Sequence, residues 1–239
     1  MPGRDAALFL DLDGTLLEFA ATPDGVVVPT HLRDLLVALR TRFDGALAIL
    51  SGRPLADIDA LLGVHDLAAA GIHGSDWRGH ADRQHIAPAS SALDDVRRHL
   101  DEALARTPDL RVEDKGIALA LHFRASPQAA PQAASLAIEL LRIAGSGFAL
   151  QHGNQVIELR PADADKGSAL KRFMSGASFR GRKPWMVGDD FTDESAFVQA
   201  NADDGESVIV GSRRPTAARC ALRDPAAVLD WLDRTRNAT

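Results

Sequence analysis

The sequence predicts an α/β protein, with a parallel-sheet core and a smaller α+β segment inserted into the chain. Short, continuous apolar runs such as Ala6–Leu10 and Ala46–Leu50 are typical of strands that are buried on both faces. Segments with leucines at helical spacing accompany these runs. Two later segments, Gly116–Arg124 and Gln155–Arg160, instead alternate apolar and polar residues, which is typical of strands with one exposed face.

Length, charge and cysteine content narrow the class of protein. The 239 residues are enough for one large domain or two smaller ones. A net charge of −6 argues against binding to nucleic acid or to an anionic membrane. The single cysteine, Cys220, excludes an internal disulfide, and no apolar run suits a membrane span or a secretion signal. We therefore expect a cytoplasmic protein whose partner is neither nucleic acid nor a membrane, and we take a monomer as the expected oligomeric state.

Three strands are expected in the first third of the chain, and polar residues follow each one. They are Ala6–Leu10, Ala46–Leu50 and Leu67–Gly71. A helix over Leu32–Leu39, capped by Thr30, separates the first two, and a second helix runs through Ile58–Leu62. Phe19–Pro29 contains prolines and an Asp-Gly pair, which predicts a loop.

The later part of the chain leaves this pattern and then returns to it. Two helices are expected beside the two alternating strands: one starts at Pro88, and the other spans Pro131–Ala144. The core pattern resumes with a helix after Ala164 and with strands at Trp185–Val187 and Glu206–Gly211. A terminal amphipathic helix completes the chain.

Two carboxylates follow the first predicted strand. Asp11 and Asp13 alternate with Leu12, so both should point to the same side, and Gly14 permits a sharp turn before Thr15. In open α/β sheets ligands bind at the carboxyl ends of strands. A surface turn would also tolerate two acids, but buried and unpaired carboxylates are costly. A cation or a chemical task therefore explains them better.

Polar side chains at the other strand ends suit a phosphate and a metal. Ser51 and Arg53 precede a helix whose free N–H groups can bind an anion, although a plain helix cap and a solvated arginine are the simpler interpretations. Lys166 stands in a first helical turn, against the dipole preference. The cluster after Val187 supplies hard oxygen ligands of the kind that Mg²⁺ prefers, and its members are Asp189, Asp190 and Asp193.

These four stretches, in this order, resemble the motifs of the haloacid dehalogenase superfamily of phosphotransferases. The resemblance implies a Rossmann-like core over residues 1–82 and 161–239, with an inserted α+β cap over residues 83–160. It implies that Asp11 is the nucleophile and Asp13 the general acid and base, while Ser51 and Lys166 hold phosphate oxygens. Mg²⁺ would be bound by Asp11, the Asp13 carbonyl and Asp189, with Asp190 or Asp193 assisting.

A narrower resemblance concerns substrate binding. Four stretches are similar to motifs of trehalose-6-phosphate phosphatases: Gly71-x-His73-Gly74, Glu113-x-Lys115, His122-x-Arg124 and Glu158-Leu159-Arg160-Pro161. The resemblance implies that the sugar phosphate is bound by Arg53, His73, Gly74, Lys115, His122, Arg124 and Glu158. The simpler interpretations are a structural loop histidine at position 73 and a solvated, charged sheet face.

The expected activity is therefore the Mg²⁺-dependent hydrolysis of trehalose 6-phosphate through an aspartyl-phosphate. Two alternatives stay open. One is another sugar phosphatase, of the sucrose-phosphate or mannosyl-phosphate type. The other is a sugar-phosphate-binding regulatory module without turnover, which would be expected to lack the first aspartates or Lys166.

Overall fold

A computed structural model describes residues 1–20, 25–79, 84–85, 91–105 and 107–238. The chain divides into two compact units, one made of Met1–His85 with Asp165–Thr239 and the other of Ile86–Ala164. Three predicted features lie outside the described residues: the core–cap boundary at Arg83, the helix start at Pro88, and residues 21–24 of the predicted loop. Within the described ranges, no helix combines the length and apolarity needed to span a membrane.

The chain forms twelve strands and seven helices over the residues described. The strands are β1 (Ala6–Leu10), β2 (Leu47–Leu50), β3 (Ala68–Gly71), β4 (Asp76–Arg78), β5 (Gln84–His85), β6 (Arg111–Asp114), β7 (Leu119–His122), β8 (Phe148–Gly153), β9 (Val156–Pro161), β10 (Lys183–Gly188), β11 (Glu206–Val210) and β12 (Cys220–Leu222). The helices are α1 (Leu32–Arg42), α2 (Leu55–Leu62), α3 (Asp94–Leu104), α4 (Ala130–Ala144), α5 (Lys166–Met174), α6 (Glu194–Ala202) and α7 (Pro225–Asn237).

The larger unit is built on an eight-stranded sheet in the order β12-β11-β10-β1-β2-β3-β4-β5. The six strands from β12 to β3 run parallel, and β4 and β5 extend the sheet antiparallel. Strand β1 lies between β2 and β10, which is the arrangement that opens a crevice at the strands' carboxyl ends. The predicted α/β class with a parallel sheet is confirmed.

The core of the larger unit explains why these segments form strands and helices. All five residues of β1 are buried, and the Phe9 ring lies 5.4 Å from that of Phe179 and 6.3 Å from that of Phe173. Helix α1 buries its four leucines at the predicted spacing. Thr30 is not its cap, however, because the helix begins at Leu32 and its N-cap is His31, which makes no side-chain capping hydrogen bond.

The smaller unit contains a four-stranded antiparallel sheet in the order β6-β7-β9-β8. One face packs on α3 and α4 through an apolar cluster that includes Leu119, Leu121, Ile157 and Leu159. The two central strands are the alternating segments of the sequence. The edge strands β6 and β8 were missed, as was β12 in the larger unit, because each carries too short an apolar pattern to predict a strand without its partner.

Candidate active site

Neighbouring strands of the larger unit bring the predicted catalytic side chains to one edge of the sheet. Asp11 follows β1, Ser51 follows β2 and Asp189 follows β10, and these three strands are adjacent. Gly14 has a φ of +85°, and a Cβ atom there would lie 2.6 Å from Cγ of Asp189. A residue without a side chain is therefore required for the first turn to lie this close to the Asp189 carboxylate.

Lys166 lies between two buried carboxylates. Its Nζ atom is 2.6 Å from Oδ1 of Asp11 and 2.6 Å from Oδ1 of Asp193, and the residue is only 2% exposed. Asp165 and Ser168 form a reciprocal capping box that fixes the start of α5, where Lys166 stands. Burial by itself would lower the pKa of Lys166, but Asp11 and Asp193 more than offset this and raise the pKa. Lys166 is therefore a fixed positive charge at the site.

Asp193 organises the loop after β10. Its Oδ2 atom accepts hydrogen bonds from the backbone amides of Asp189 and Asp190, at 2.9 Å each. A Cβ atom at Gly188 would collide with the Asp193 carboxylate, so this return of the loop needs a glycine. The loop is therefore wrapped around a fully buried carboxylate that also contacts Lys166.

Three carboxylates form a candidate metal centre. Among the described residues, Asp11, Asp189 and Asp193 each offer an oxygen within 4.8 Å of the others. Burial raises the pKa of Asp11 to about 7 although Lys166 acts against it, and burial reinforced by Asp11 and Asp193 raises that of Asp189 to about 9. The raised pKa values mean that Lys166 alone does not balance the negative charge of these carboxylates, and carboxylate oxygens are hard ligands that suit a divalent cation. The donor set thus suits a metal such as Mg²⁺.

The side chains of the other two predicted metal residues make different contacts. Asp190 accepts a hydrogen bond from the amide of Phe191 at 2.6 Å and caps the turn there. Both carboxylate oxygens of Asp13 accept from Arg53, whose Nε and Nη2 atoms lie 2.6 Å and 2.8 Å away. The structure thus pairs the predicted general acid with a residue that the sequence assigned to substrate binding.

The predicted phosphate and substrate residues near β2 and β3 form one interlocked turn. The Ser51 hydroxyl accepts the Arg53 amide at 3.1 Å, and the His73 amide donates to the Ser51 carbonyl at 3.0 Å. His73 is buried with a left-handed φ of 54°, and its ring covers Gly52, where a Cβ atom would lie 2.8 Å from the imidazole. Gly74 has a structural task, since a Cβ there would lie 2.8 Å from the Asp165 carbonyl oxygen.

Two residues at this site were not predicted as site residues. The Thr15 hydroxyl lies 3.1 Å from Oδ2 of Asp11 and 3.4 Å from Oδ1 of Asp189, so it links the two carboxylates. Thr15 follows Gly14 directly in the sequence, where its hydroxyl group is the one signal that could have pointed to a role at the site. Arg213 donates to the carbonyl oxygens of Asp189 and Asp190, each at 3.2 Å. No local pattern marks Arg213, because it lies 20 residues or more along the chain from the loop that it contacts.

The sheet of the smaller unit presents a polar row made of residues from three of its four strands, Glu113 of β6, Glu158 of β9 and Gln151 of β8. Ala120 of β7 pairs with Glu113 of β6 on one side and with Glu158 of β9 on the other, and Glu158 pairs with Gln151 of β8. Directly opposed residues project on the same face of a sheet. The small Ala120 therefore separates two acids on the face opposite the apolar cluster.

Two of the cap residues predicted to bind substrate, Lys115 and Glu158, are paired with each other on that face. Lys115 Nζ lies 3.2 Å from Oε1 of Glu158, and both side chains are almost fully buried. His122 Nε2 lies 2.8 Å from Oε2 of Glu113, and this hydrogen bond lowers the pKa of Glu113 against the opposing effect of burial. Arg124 instead reaches the Asn154 carbonyl at 3.1 Å, at the end of the sheet. Glu113, which the sequence placed in the motif Glu113-x-Lys115 without a role, thus contacts one of the predicted substrate residues.

Comparison with known proteins identifies the family. The model of the trehalose-phosphatase family matches residues 9–226. The chain is also 40% identical over 228 residues to the trehalose-6-phosphate phosphatase of Escherichia coli K12, which covers 95% of this chain and 85% of that protein. The chain belongs to the trehalose-phosphatase family. As a member of it, the chain is a phosphoric monoester hydrolase, and the resemblance read from the motifs is confirmed at this level.

Other members of the trehalose-phosphatase family agree in sequence and fold. A probable trehalose-phosphate phosphatase of Sinorhizobium fredii is 39% identical over 211 residues, or 88% of this chain and 80% of its own length. The solved C-terminal domain of C. albicans trehalose-6-phosphate phosphatase superposes with a TM-score of 0.82 over 98% of this chain and 92% of that domain. Its sequence identity of 22% makes this last likeness one of fold. The roles of the individual residues stay predictions.

Proposed function

We propose that this chain hydrolyses trehalose 6-phosphate to trehalose and inorganic phosphate through an aspartyl-phosphate on Asp11. The observation that carries the proposal is the contact of Asp11 with Lys166, at 2.6 Å, beside the carboxylates of Asp189 and Asp193. A buried carboxylate held by a lysine next to a candidate cation site is equipped to attack a phosphate dianion. The named substrate of the relatives supports trehalose 6-phosphate.

Two steps use the side chains at this edge of the sheet. In the first, an oxygen of Asp11 attacks phosphorus, the bond from phosphorus to the sugar oxygen breaks, and Asp13 gives that oxygen a proton. In the second, water attacks the same phosphorus, Asp13 takes a proton from it, and phosphate leaves as Asp11 is regenerated. Lys166 and the Ser51 hydroxyl stabilise the charge on the phosphoryl oxygens.

Arg53 controls when Asp13 can act. Both Asp13 oxygens accept from the guanidinium group, so Asp13 can serve as an acid only when one of them is released. A phosphate dianion competes for the same guanidinium, because arginine binds phosphate and carboxylate in the same forked geometry. Substrate binding would thereby free the general acid at the moment it is needed.

A divalent cation belongs to the proposal. Asp11, Asp189 and Asp193, with the main-chain carbonyl of Asp13, would hold Mg²⁺. When bound, the ion would offset the repulsion between the substrate's phosphate and the attacking carboxylate. In the smaller unit, the row of Glu113, Glu158 and Gln151 offers acceptors for the hydroxyl groups of a sugar.

Phosphate release from a panel of substrates tests the function. We expect hydrolysis of trehalose 6-phosphate in preference to sucrose and mannosyl phosphates, loss of activity in EDTA, and recovery with Mg²⁺. Asp11→Asn should stop turnover while calorimetry still detects trehalose 6-phosphate binding, and Asp5→Asn, an exposed acid just before β1, should act like the wild type. Near-normal turnover by Asp11→Asn would exclude the covalent mechanism.

Trapping the intermediate provides a direct test. In Asp13→Asn, the p-nitrophenolate group of p-nitrophenyl phosphate can leave as an anion without a general acid, so a burst of p-nitrophenolate should accompany the transfer of one phosphoryl group to the protein. Hydroxylamine should remove that added mass, because it cleaves acyl phosphates. A preference for another sugar phosphate would favour the alternative phosphatases. Binding without any turnover would favour a regulatory module.

A further inference from the structure

The loop that carries Asp189 is held through both its amides and its carbonyl oxygens. The Asp193 carboxylate accepts hydrogen bonds from the amides of Asp189 and Asp190, at 2.9 Å each. The Arg213 guanidinium donates to the carbonyl oxygens of the same two residues, Nε to Asp189 and Nη2 to Asp190, at 3.2 Å each. Donors and acceptors of both residues are thus engaged, and the backbone of the loop is fixed at the point where the Asp189 side chain leaves it.

Arg213 is itself held in place by neighbours on α6 and on its own loop. Its Nη2 atom pairs with Glu194, the first residue of α6, whose second carboxylate oxygen accepts the Ala217 amide at 2.7 Å. The guanidinium lies over the Phe191 ring, 4.4 Å from its centre, and Nη1 donates to the Pro215 carbonyl at 3.0 Å. With these contacts the Arg213 guanidinium is held in one position, ready to hydrogen-bond the loop, and is not a mobile surface charge.

We propose that Arg213 is a positioning residue for the cation site: it fixes the backbone of Asp189 and Asp190 and thereby the direction of the Asp189 carboxylate. The inference rests on the proposed function, since it supposes that a divalent cation binds at Asp11, Asp189 and Asp193. Arg213 does not touch the reacting atoms in this scheme. Metal ligands are oriented by the groups that hydrogen-bond to them and to their backbone, and loss of such groups weakens metal binding.

The sign of the effect separates positioning from plain charge. Arg213 is a cation near a site for another cation, so by Coulomb's law its removal should strengthen Mg²⁺ binding. If instead Arg213 aligns a ligand, its removal should weaken binding, because the freed loop loses conformational freedom when the ion binds. A purely structural role would lower the stability of the protein and leave the affinity unchanged.

The chemistry also predicts an order among variants. The planar guanidinium of Arg213 reaches two carbonyl oxygens, at Asp189 and Asp190, while pairing with Glu194. A lysine ammonium lacks the planar fork and can take over only part of this set. Arg213→Lys should therefore be intermediate, and Arg213→Met should retain bulk beside Phe191 with none of the hydrogen bonds.

The test measures Mg²⁺ affinity by calorimetry and, separately, the Mg²⁺ concentration for half-maximal phosphate release. For Arg213→Met we expect the Mg²⁺ dissociation constant and the half-maximal Mg²⁺ concentration both to rise by about 5- to 30-fold, as for the loss of one or two hydrogen bonds to a charged group, with kcat at saturating Mg²⁺ changed much less. Arg214→Met is the matched control: it removes the same charge from the next residue, which is exposed. It should leave the affinity unchanged or slightly higher.

Each outcome decides one point. Unchanged or tighter Mg²⁺ binding in Arg213→Met overturns the positioning role, and equal weakening in Arg214→Met overturns it too, because that result assigns the effect to the general stability of the loop. Thermal unfolding of the metal-free variants shows whether Arg213→Met lowers the stability of the whole protein. If it does, Arg213→Lys is the milder substitution in which Mg²⁺ affinity is measured instead. If the wild type binds no Mg²⁺ in calorimetry, the proposed function fails, and that result is separate from any difference between the variants.

Discussion

At the scale of single residues, Lys166 supplies the positive charge that partly balances the buried carboxylates of the site. Its ammonium contacts two carboxylates, from Asp11 and Asp193, and all three side chains are shielded from water. Breaking such a buried group by removing one partner leaves uncompensated charge, which costs more than the group contributes as a whole. The same residue therefore serves stability and the reactivity of Asp11.

Lys166→Met should affect both properties. We expect unfolding by urea to show a loss of about 3–5 kcal/mol, because two buried carboxylates lose their partner. We expect kcat for p-nitrophenyl phosphate to fall by roughly 10²–10³-fold, as when a group that stabilises transition-state charge is removed. Lys171→Met, which removes an exposed lysine from the same helix, is the control and should change neither.

A double variant separates the two roles of Lys166. Lys166→Met with Asp193→Asn removes one charge of each sign, so it should recover part of the lost stability. It should not recover activity, because Asp11 still lacks its lysine. Activity close to that of the wild type in either variant would contradict the role given to Lys166.

At the scale of secondary-structure elements, the polar row of the smaller unit depends on how its strands pair. Glu113, Glu158 and Gln151 come from three different strands, and the register across β7 and β9 is what aligns them with Ala120 between. The Lys115–Glu158 pair is almost fully buried at this row. Acceptors held in this way are suited to hydroxyl groups, which a sugar supplies and an aryl phosphate does not.

Glu158→Gln should therefore act on substrate choice. We expect kcat/KM for trehalose 6-phosphate to fall by roughly 5- to 100-fold, since a hydrogen bond to a charged group is lost, and hydrolysis of p-nitrophenyl phosphate to stay nearly unchanged. Glu139→Gln on α4 is a control within the same unit, at an acid paired with His99. An equal loss with both substrates would assign Glu158 to folding, and no loss with either would mean that Glu158 does not contact the sugar.

At the scale of the whole molecule, the two units have separate hydrophobic cores. Leu36, fully buried, belongs to the cluster of the larger unit, and Leu121, 2% exposed, belongs to that of the smaller unit. The smaller unit lies between two parts of the larger one in the sequence, yet each apolar cluster is closed within its own unit. This organisation indicates two cooperative folding units in one chain.

Leu121→Ala and Leu36→Ala should separate these units in hydrogen exchange. Each removes a buried side chain at a cost of about 2–5 kcal/mol. We expect Leu121→Ala to speed amide exchange within Ile86–Ala164 while β1, β2 and β10 stay protected, and Leu36→Ala to affect the sheet of the larger unit. Equal loss of protection throughout the chain in both variants would mean a single cooperative unit.

The sequence by itself determined the fold class, the family and the residues at the strand ends. Continuous apolar runs identify buried strands, and polar side chains directly after them lie at one edge of a parallel sheet, so Asp11, Ser51 and Asp189 could be proposed together. This works because strand length and side-chain alternation are local properties of the chain. The motif resemblance added Lys166, whose contact with Asp11 spans 155 residues of sequence.

Only the tertiary structure decided how these side chains are paired. The contacts that decide the site join residues that are distant in sequence. They are those of Asp13 with Arg53, of Lys166 with both Asp11 and Asp193, and of Arg213 with the carbonyl oxygens of the Asp189 loop. The edge strands β6 and β8 likewise exist through pairing with a central strand. Local periodicity carries no information on such contacts, because burial, desolvation and strand register are set by the elements that pack around a residue and not by its neighbours along the chain.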